Sequence, residues 1–330
     1  MTKILTAGFV RFTAIVLVAW SAFVSVNFGS TTPDAGTIVH YRFATIDGVK
    51  MFYREAGPSD GPVVLLLHGF PTSSHMFRNL IPLLSDRYQV IAPDYPGFGQ
   101  SDSPDRATFK YTFAGFTDMV DKLLGQRGVT RYAMYLMDYG APVGYRLALK
   151  HPERVSALII QNGNAYEEGL RDFWTPVKAY WKDGSTKNRE ALAGLVSRET
   201  TIFQYTDGVK DTTRISPDNW VQDQALLDRP GNREIQLDVM YDYRTNVPLY
   251  PQFQKFFHER KPPAILVWGK NDKIFPEEGA HPYRKDLPDV EFHLFDSGHF
   301  LLEDKLDEVG PLIRDFLDRK MSVIQPGATP

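Results

Sequence analysis

The 330-residue chain contains no cysteine. That removes disulfides, thiol nucleophiles, zinc–thiolate sites and iron–sulfur clusters in one step. There is no basic excess either: 37 Lys and Arg stand against 40 Asp and Glu, a net of −3. Gripping a phosphate backbone needs a basic stripe, so nucleic acid is not an expected partner. No His-Glu-x-x-His occurs and the 8 histidines are scattered, so no metal is expected. Gly-x-Ser-x-Gly is also missing, which argues against an ordinary serine esterase or lipase. Internal repeats and low-complexity tracts are absent. Apolar material is plentiful: 43% hydrophobic and 13% aromatic residues suffice for one large core with a smaller appended unit.

The N-terminus departs from this composition. Lys3 and Arg11 precede an uncharged run from Phe12 to Pro33 whose apolar part ends near Phe28. A basic start followed by a short apolar stretch is the pattern of an export signal. Its length sits at the lower edge of what spans a bilayer. A cleaved signal gives a periplasmic or secreted protein, and an uncleaved one gives a membrane-anchored protein. Membrane attachment is expected through this segment only, because no later run is long and apolar enough. Residues 1–36 therefore stand apart from the fold.

From about Val39 onward, strand-like and helix-like segments alternate. Val39–Ile46 and Val49–Ala56 flank Asp47-Gly48, a hairpin turn signal. Continuous apolar runs follow at Val63–Leu67, Tyr88–Ala92, Tyr132–Met137, Val155–Ile160, Ala264–Trp268 and Glu291–Phe295. Such runs suit strands buried on both faces, as in a parallel sheet. Helical patterns lie between them at Met76–Leu84, Thr112–Leu124, Ala141–Lys150 and Leu306–Leu317. The expected fold is α/β, a mostly parallel, doubly wound eight-stranded sheet with helices on both faces. The stretch between Ile160 and Ala264 breaks the rhythm, with helical patterning and many aromatics. It is read as a helical lid over the strand ends, where open α/β sheets bind ligands. The organisation expected is a core at 37–162 and 261–320, a lid at 163–260 and a tail at 321–330.

Four polar candidates fall just past predicted strand ends. Asp138, in Asp138-Tyr139-Gly140, sits between a strand and a helix expected to begin near Pro142, the setting of a nucleophile elbow. Leu136 stands where that elbow usually has glycine. A helix N-terminus favours a carboxylate, so Asp138 is expected to stay ionised, or simply to cap the helix. His68-Gly69-Phe70-Pro71 follows the first apolar run, with the N–H of Phe70 free to point into a site. Asp272 and His299 follow two later strands. Any one of these is an ordinary loop residue. Together they put acid, acid and His on one sheet edge, in the order Asp138, Asp272, His299.

These segments resemble a family. His68-Gly69-Phe70-Pro71, the run Ala92 to Asp102, Asp138-Tyr139-Gly140, the loop ending at Asp272 and Gly298-His299-Phe300 look like the α/β-hydrolase superfamily. The resemblance spans roughly Val39 to Arg319. Asp at the elbow is similar to the epoxide hydrolase and haloalkane dehalogenase branch. It implies a cofactor-independent hydrolase in which Asp138 displaces a leaving group from saturated carbon, giving an alkyl ester. His299, oriented by Asp272, then activates water against that ester, and the N–H groups of Phe70 and Tyr139 hold the oxyanion. The resembling dehalogenases grip halide with indole or Asn donors. Tyr139 and Phe70 replace them here, which favours epoxide over halide. The resemblance makes Tyr243 the lid proton donor and Tyr180 a second one, because Val177 occupies the position expected for it. His68, Trp174 and Trp181 are expected in the pocket wall, around a small apolar organic substrate. Alternatives are a haloalkane or haloacid dehalogenase and a non-catalytic binder of apolar ligands.

Overall fold

A computed structural model describes residues 38–321. The expected signal or anchor at 1–36 and residues 322–330 of the tail lie outside that range. The described residues form one eight-stranded sheet: β1 (His40–Ile46), β2 (Val49–Ala56), β3 (Val63–Leu67), β4 (Gln89–Pro93), β5 (Tyr132–Met137), β6 (Val155–Gln161), β7 (Ala264–Gly269) and β8 (Glu291–Phe295). Its order is β1-β2-β4-β3-β5-β6-β7-β8. The β1–β2 and β2–β4 pairings are antiparallel and all others are parallel. Beside the sheet run α1 (Ile81–Leu84), α2 (Phe113–Gln126) and α3 (Gly140–Lys150). Between β6 and β7 come α4 (Thr175–Asp183), α5 (Thr186–Ala191), α6 (Arg198–Thr206), α7 (Pro217–Leu227), α8 (Asn232–Asp242) and α9 (Tyr250–Arg260). The chain ends on α10 (Tyr283–Asp286), α11 (Leu301–Asp304) and α12 (Leu306–Lys320).

The continuous apolar runs are explained by what covers them. Along β3, Val63, Leu65 and Leu67 join one core while Val64 and Leu66 join the other. Along β5, Tyr132, Met134 and Leu136 alternate in the same way with Ala133, Tyr135 and Met137. Successive side chains point to opposite faces, so both faces must be apolar when helices cover both. Phe116, Val120 and Leu123 of α2 and Val143 and Leu147 of α3 belong to one core; Ile313, Phe316 and Leu317 of α12 belong to the other. The edge hairpin is different. Tyr41 (63% exposed) and Phe43 (49%) carry Arg54 and Lys50 over their rings, at 5.2 and 4.1 Å.

Two expected elements differ. Met76–Leu84 is not one helix but a 3-10 turn at Ser74–Phe77 followed by α1, whose Pro82 occupies a first-turn position. The helix after β5 begins at Gly140 rather than near Pro142. Proline lacks an N–H, so it sits inside the first turn at no cost and does not mark the helix start. Pro311, by contrast, lies within α12.

The chain leaves β3 toward β4 on one side and continues from β5 to β8 on the other. The change of direction opens a crevice between the C-terminal ends of β3 and β5, where such sheets bind ligands. Five neighbouring strand ends carry, in order, Phe70 after β3, Asp138 after β5, Asn162 after β6, Asp272 after β7 and His299 after β8.

Candidate active site

Asp138 stands at the turn between β5 and α3 with φ +50°, a left-handed conformation that side-chain-bearing residues rarely adopt. Close packing forces it there. A Cβ on Gly69 would lie 2.2 Å from the Asp138 Cβ, so the loop after β3 reaches the carboxylate only because residue 69 is glycine. Leu136 also finds its explanation. Its Cδ2 occupies the space a Cβ on Gly144 would need, at 2.2 Å, so a glycine one helical turn into α3 accommodates it.

The carboxylate is held asymmetrically. Oδ1 accepts the backbone N–H of Phe70 at 2.7 Å and that of Tyr139 at 2.6 Å. Oδ2 faces Nε2 of His299 at 3.7 Å, beyond hydrogen-bond reach. His299 Nδ1 lies 2.7 Å from Oδ2 of Asp272, which fixes the imidazole and leaves its buried Nε2 without a partner. Asp272 is itself braced: Oδ1 accepts the N–H of Ile274 at 2.7 Å, and Oδ2 accepts Nδ2 of Asn162 at 2.9 Å. Asn162 also clamps Gly269, accepting its N–H at 3.0 Å and donating to its carbonyl at 3.1 Å.

Burial pushes the Asp138 carboxyl up from 3.8 to about 6, against the pull of His299 and the two N–H groups. Desolvation thus raises the carboxyl, yet the carboxylate form still predominates at neutral pH. Burial pulls the His299 imidazole down, but the charges of Asp272 and Asp138 outweigh it and leave the net shift upward.

A cluster of aromatic rings packs beside these groups. Tyr243 is buried, with its ring 6.1 Å from Tyr139, 4.6 Å from Trp174 and 5.6 Å from Trp181. Both indole N–H groups are spent on backbone carbonyls, Trp174 on Ile274 at 2.7 Å and Trp181 on Met240 at 2.8 Å. The Tyr139 hydroxyl turns to the Met240 sulfur at 3.6 Å.

Two expected site residues fall elsewhere. Tyr180 lies about 100° around α4 from Trp181, and its hydroxyl accepts Nη1 of Arg189 at 2.9 Å. That guanidinium is paired with Glu234 and Asp238 at 2.6 and 2.9 Å, so Tyr180 belongs to an ion network on the lid's far side. His68 is buried under the Phe70 loop rather than in the aromatic cluster. Its Nδ1 lies 3.0 Å from the Gly69 carbonyl, and its Nε2 accepts the N–H of Tyr95 at 3.3 Å. Burial lowers its pKa and keeps it neutral. The sequence reading passed over Asn162, Asn164 and Tyr250. Asn162-Gly163-Asn164 does follow a strand end, the same signal that marked Asp138.

The profile of the alpha/beta hydrolase fold matches residues 62–306. The chain belongs to that family. This α/β hydrolase is 47% identical over 261 residues to an uncharacterized hydrolase of Saccharomyces cerevisiae, covering 78% of this chain and 89% of the relative. It is 31% identical to a cis-3-alkyl-4-alkyloxetan-2-one decarboxylase of Xanthomonas campestris pv. campestris, over 82% of this chain and 93% of that protein. Among solved structures, a haloalkane dehalogenase of Bradyrhizobium elkanii superposes with TM-score 0.70 at 24% identity, over 86% of this chain and 98% of its own. The epoxide hydrolase CorEH does so at TM-score 0.68 and 21% identity, over 86% and 99%. The protein is thus a hydrolase of the α/β family.

Proposed function

We propose that this hydrolase opens epoxides through a covalent ester on Asp138. The observation that carries the reading is the asymmetric carboxylate: Oδ1 is pinned by two N–H groups at 2.7 and 2.6 Å while Oδ2 is bare. Oδ2 attacks a ring carbon, the carbon–oxygen bond breaks, and Tyr243 protonates the departing oxygen. Oδ1 becomes the carbonyl oxygen of an ester already seated between two donors. His299 Nε2 takes a proton from water, the hydroxide adds to that carbonyl, and collapse expels the diol's oxygen, which takes the His299 proton and leaves Asp138 as a carboxylic acid. The proton left over when Asp138 re-ionises restores the phenol.

Epoxide is favoured over halide because a departing halide needs spare N–H donors. Both indoles of the aromatic cluster are already engaged. The aromatic walls suit a small apolar substrate.

The test is a substrate panel of aryl and alkyl epoxides, haloalkanes and a dialkyl oxetan-2-one. The last follows from the Xanthomonas relative, and its ring oxygen leaves as a carboxylate that needs no proton. Diol from the epoxides supports the reading, with one-turnover reactions in H₂¹⁸O leaving the label on Asp138 rather than on the diol. Halide release or decarboxylation with no diol overturns the epoxide assignment. A mutant Asp138→Asn that still turns over, with deamidation excluded by mass spectrometry, overturns the nucleophile.

A further inference from the structure

Behind Tyr243 lies a second phenol and, behind that, an amide, none of them facing solvent. Asn164 Nδ2 stands 2.8 Å from the Tyr166 carbonyl and 3.1 Å from the Tyr250 hydroxyl, while its Oδ1 faces the Tyr166 N–H at 3.4 Å. A carbonyl only accepts and an N–H only donates, so this amide has a single orientation. One Asn164 hydrogen goes to the carbonyl and the other to the oxygen of Tyr250. The hydrogen of Tyr250 then has one partner in reach among the described residues, the oxygen of Tyr243 at 3.3 Å. That leaves the hydrogen of Tyr243 unspent. It is the only one of the three groups with its proton available.

We propose that Asn164, Tyr250 and Tyr243 form a proton relay of fixed direction that delivers one proton to the leaving oxygen and carries the resulting charge away from it. The relay rests on the epoxide reading above. As the ring carbon–oxygen bond breaks, Tyr243 gives its proton to the departing oxygen and receives that of Tyr250. The negative charge ends on Tyr250, which then accepts from both Tyr243 and Asn164. The proton freed when the ester is cleaved returns along the same path.

The alternative, a charge left on Tyr243, is the worse one. Burial raises both phenols. A charge on Tyr250 has two side-chain donors, Asn164 Nδ2 at 3.1 Å and the Tyr243 hydroxyl at 3.3 Å, whereas among the described residues a charge on Tyr243 has Tyr250 alone. A neutral hydrogen bond that becomes charge-assisted only as the leaving oxygen is protonated acts on the barrier and not on substrate binding. Tyr243 is the catalytic residue; Tyr250 and Asn164 are positioning residues.

The experiment is rapid-quench alkylation of Asp138 by styrene oxide, read by intact mass in H₂O–D₂O mixtures, on the full chain. Two protons in flight give the wild type a proton inventory that bows below a straight line. Tyr250→Phe removes the second proton: alkylation falls about tenfold, its inventory becomes linear, and hydrolysis of the preformed ester and substrate affinity stay unchanged. Asn164→Asp presents an acceptor that takes the Tyr250 hydrogen away from Tyr243, with the same loss. A linear inventory in the wild type overturns the relay without recourse to any variant. So does a Tyr250→Phe protein that alkylates within twofold of wild type, or one whose ester hydrolysis falls equally. Absence of both adduct and diol in the wild type is a different failure, because it removes the epoxide reading itself.

Discussion

Asp138, Asp272 and His299 each lie within four residues of a strand end of the sheet, whereas Tyr243, Trp174 and Trp181 stand on turns and a helix of the insertion and meet through their rings. The strand-end half is held by short polar contacts: two N–H groups on Asp138 Oδ1, Asp272 on His299, Asn162 on Asp272 and Gly269. The lid half is held mostly by apolar area. Hydrogen bonds fix direction and protonation state, while apolar contact fixes volume with little angular demand. The first half is therefore suited to covalent chemistry and the second to enclosing a substrate. Among the rings of that half, Tyr243 and the neighbouring Tyr250 add a hydroxyl pair 3.3 Å apart.

The largest effect is expected at Asp138. Asp138→Asn keeps both N–H contacts and the packing but removes the nucleophile, so turnover falls by at least about a thousandfold in steady-state assays. The same variant sharpens the contrast in stability. The folded pKa of about 6 stands above the ordinary 3.8, so the folded state holds that proton more tightly than the unfolded chain. The destabilisation is absent below about pH 4 and complete above about pH 6, on the order of 2–3 kcal/mol. Asp138→Asn is expected to melt higher than wild type at pH 8, with the gain vanishing toward pH 4 in calorimetry. A melting point at pH 8 no higher than wild type counts against a strained, desolvated carboxylate.

His299→Gln is expected to alkylate and then stall. Steady-state turnover drops by about the same factor, while intact mass after substrate addition gains one adduct on the Asp138 peptide. A stalled enzyme without adduct breaks the division of labour between the two residues. A smaller effect is expected from pH: the single-turnover alkylation rate of the wild type rises as pH increases through about 6, because only the ionised Asp138 attacks. A rate that falls across that interval contradicts this assignment. The smallest effect tests the lid. Tyr180→Phe, removing a hydroxyl that meets Arg189 and not the aromatic cluster, is expected to change epoxide alkylation by less than about twofold. A loss comparable to that of Tyr243→Phe would restore Tyr180 as a donor.

That contrast also explains what was legible in the sequence. Strand ends are announced by apolar runs and the turns that stop them, and a residue one to four positions beyond an end has little freedom in where it goes. The positions of Asp138, Asp272 and His299 followed from that, as did the sheet. Leu136 was read as a departure because its compensation, Gly144, lies in the next element. Tyr180 was misplaced because choosing a donor on α4 needs the helix rotation to within one residue, and aromatics surround that helix on several sides. Asn164 and Tyr250 were passed over because their meaning lies in which way a hydrogen bond points. That depends on a backbone carbonyl, Tyr166, that no side-chain pattern marks.

The pairing of Trp174 with Trp181, their rings 5.6 Å apart and both against Tyr243, has an optical consequence. Indole emission follows the local field, and the proposed esterification of Asp138 would discharge a buried carboxylate near that cluster. Two of the chain's 5 tryptophans would thus report the covalent state. The protein carries its own dye: a fluorescence transient on mixing with substrate would time the filling and emptying of Asp138 without any label.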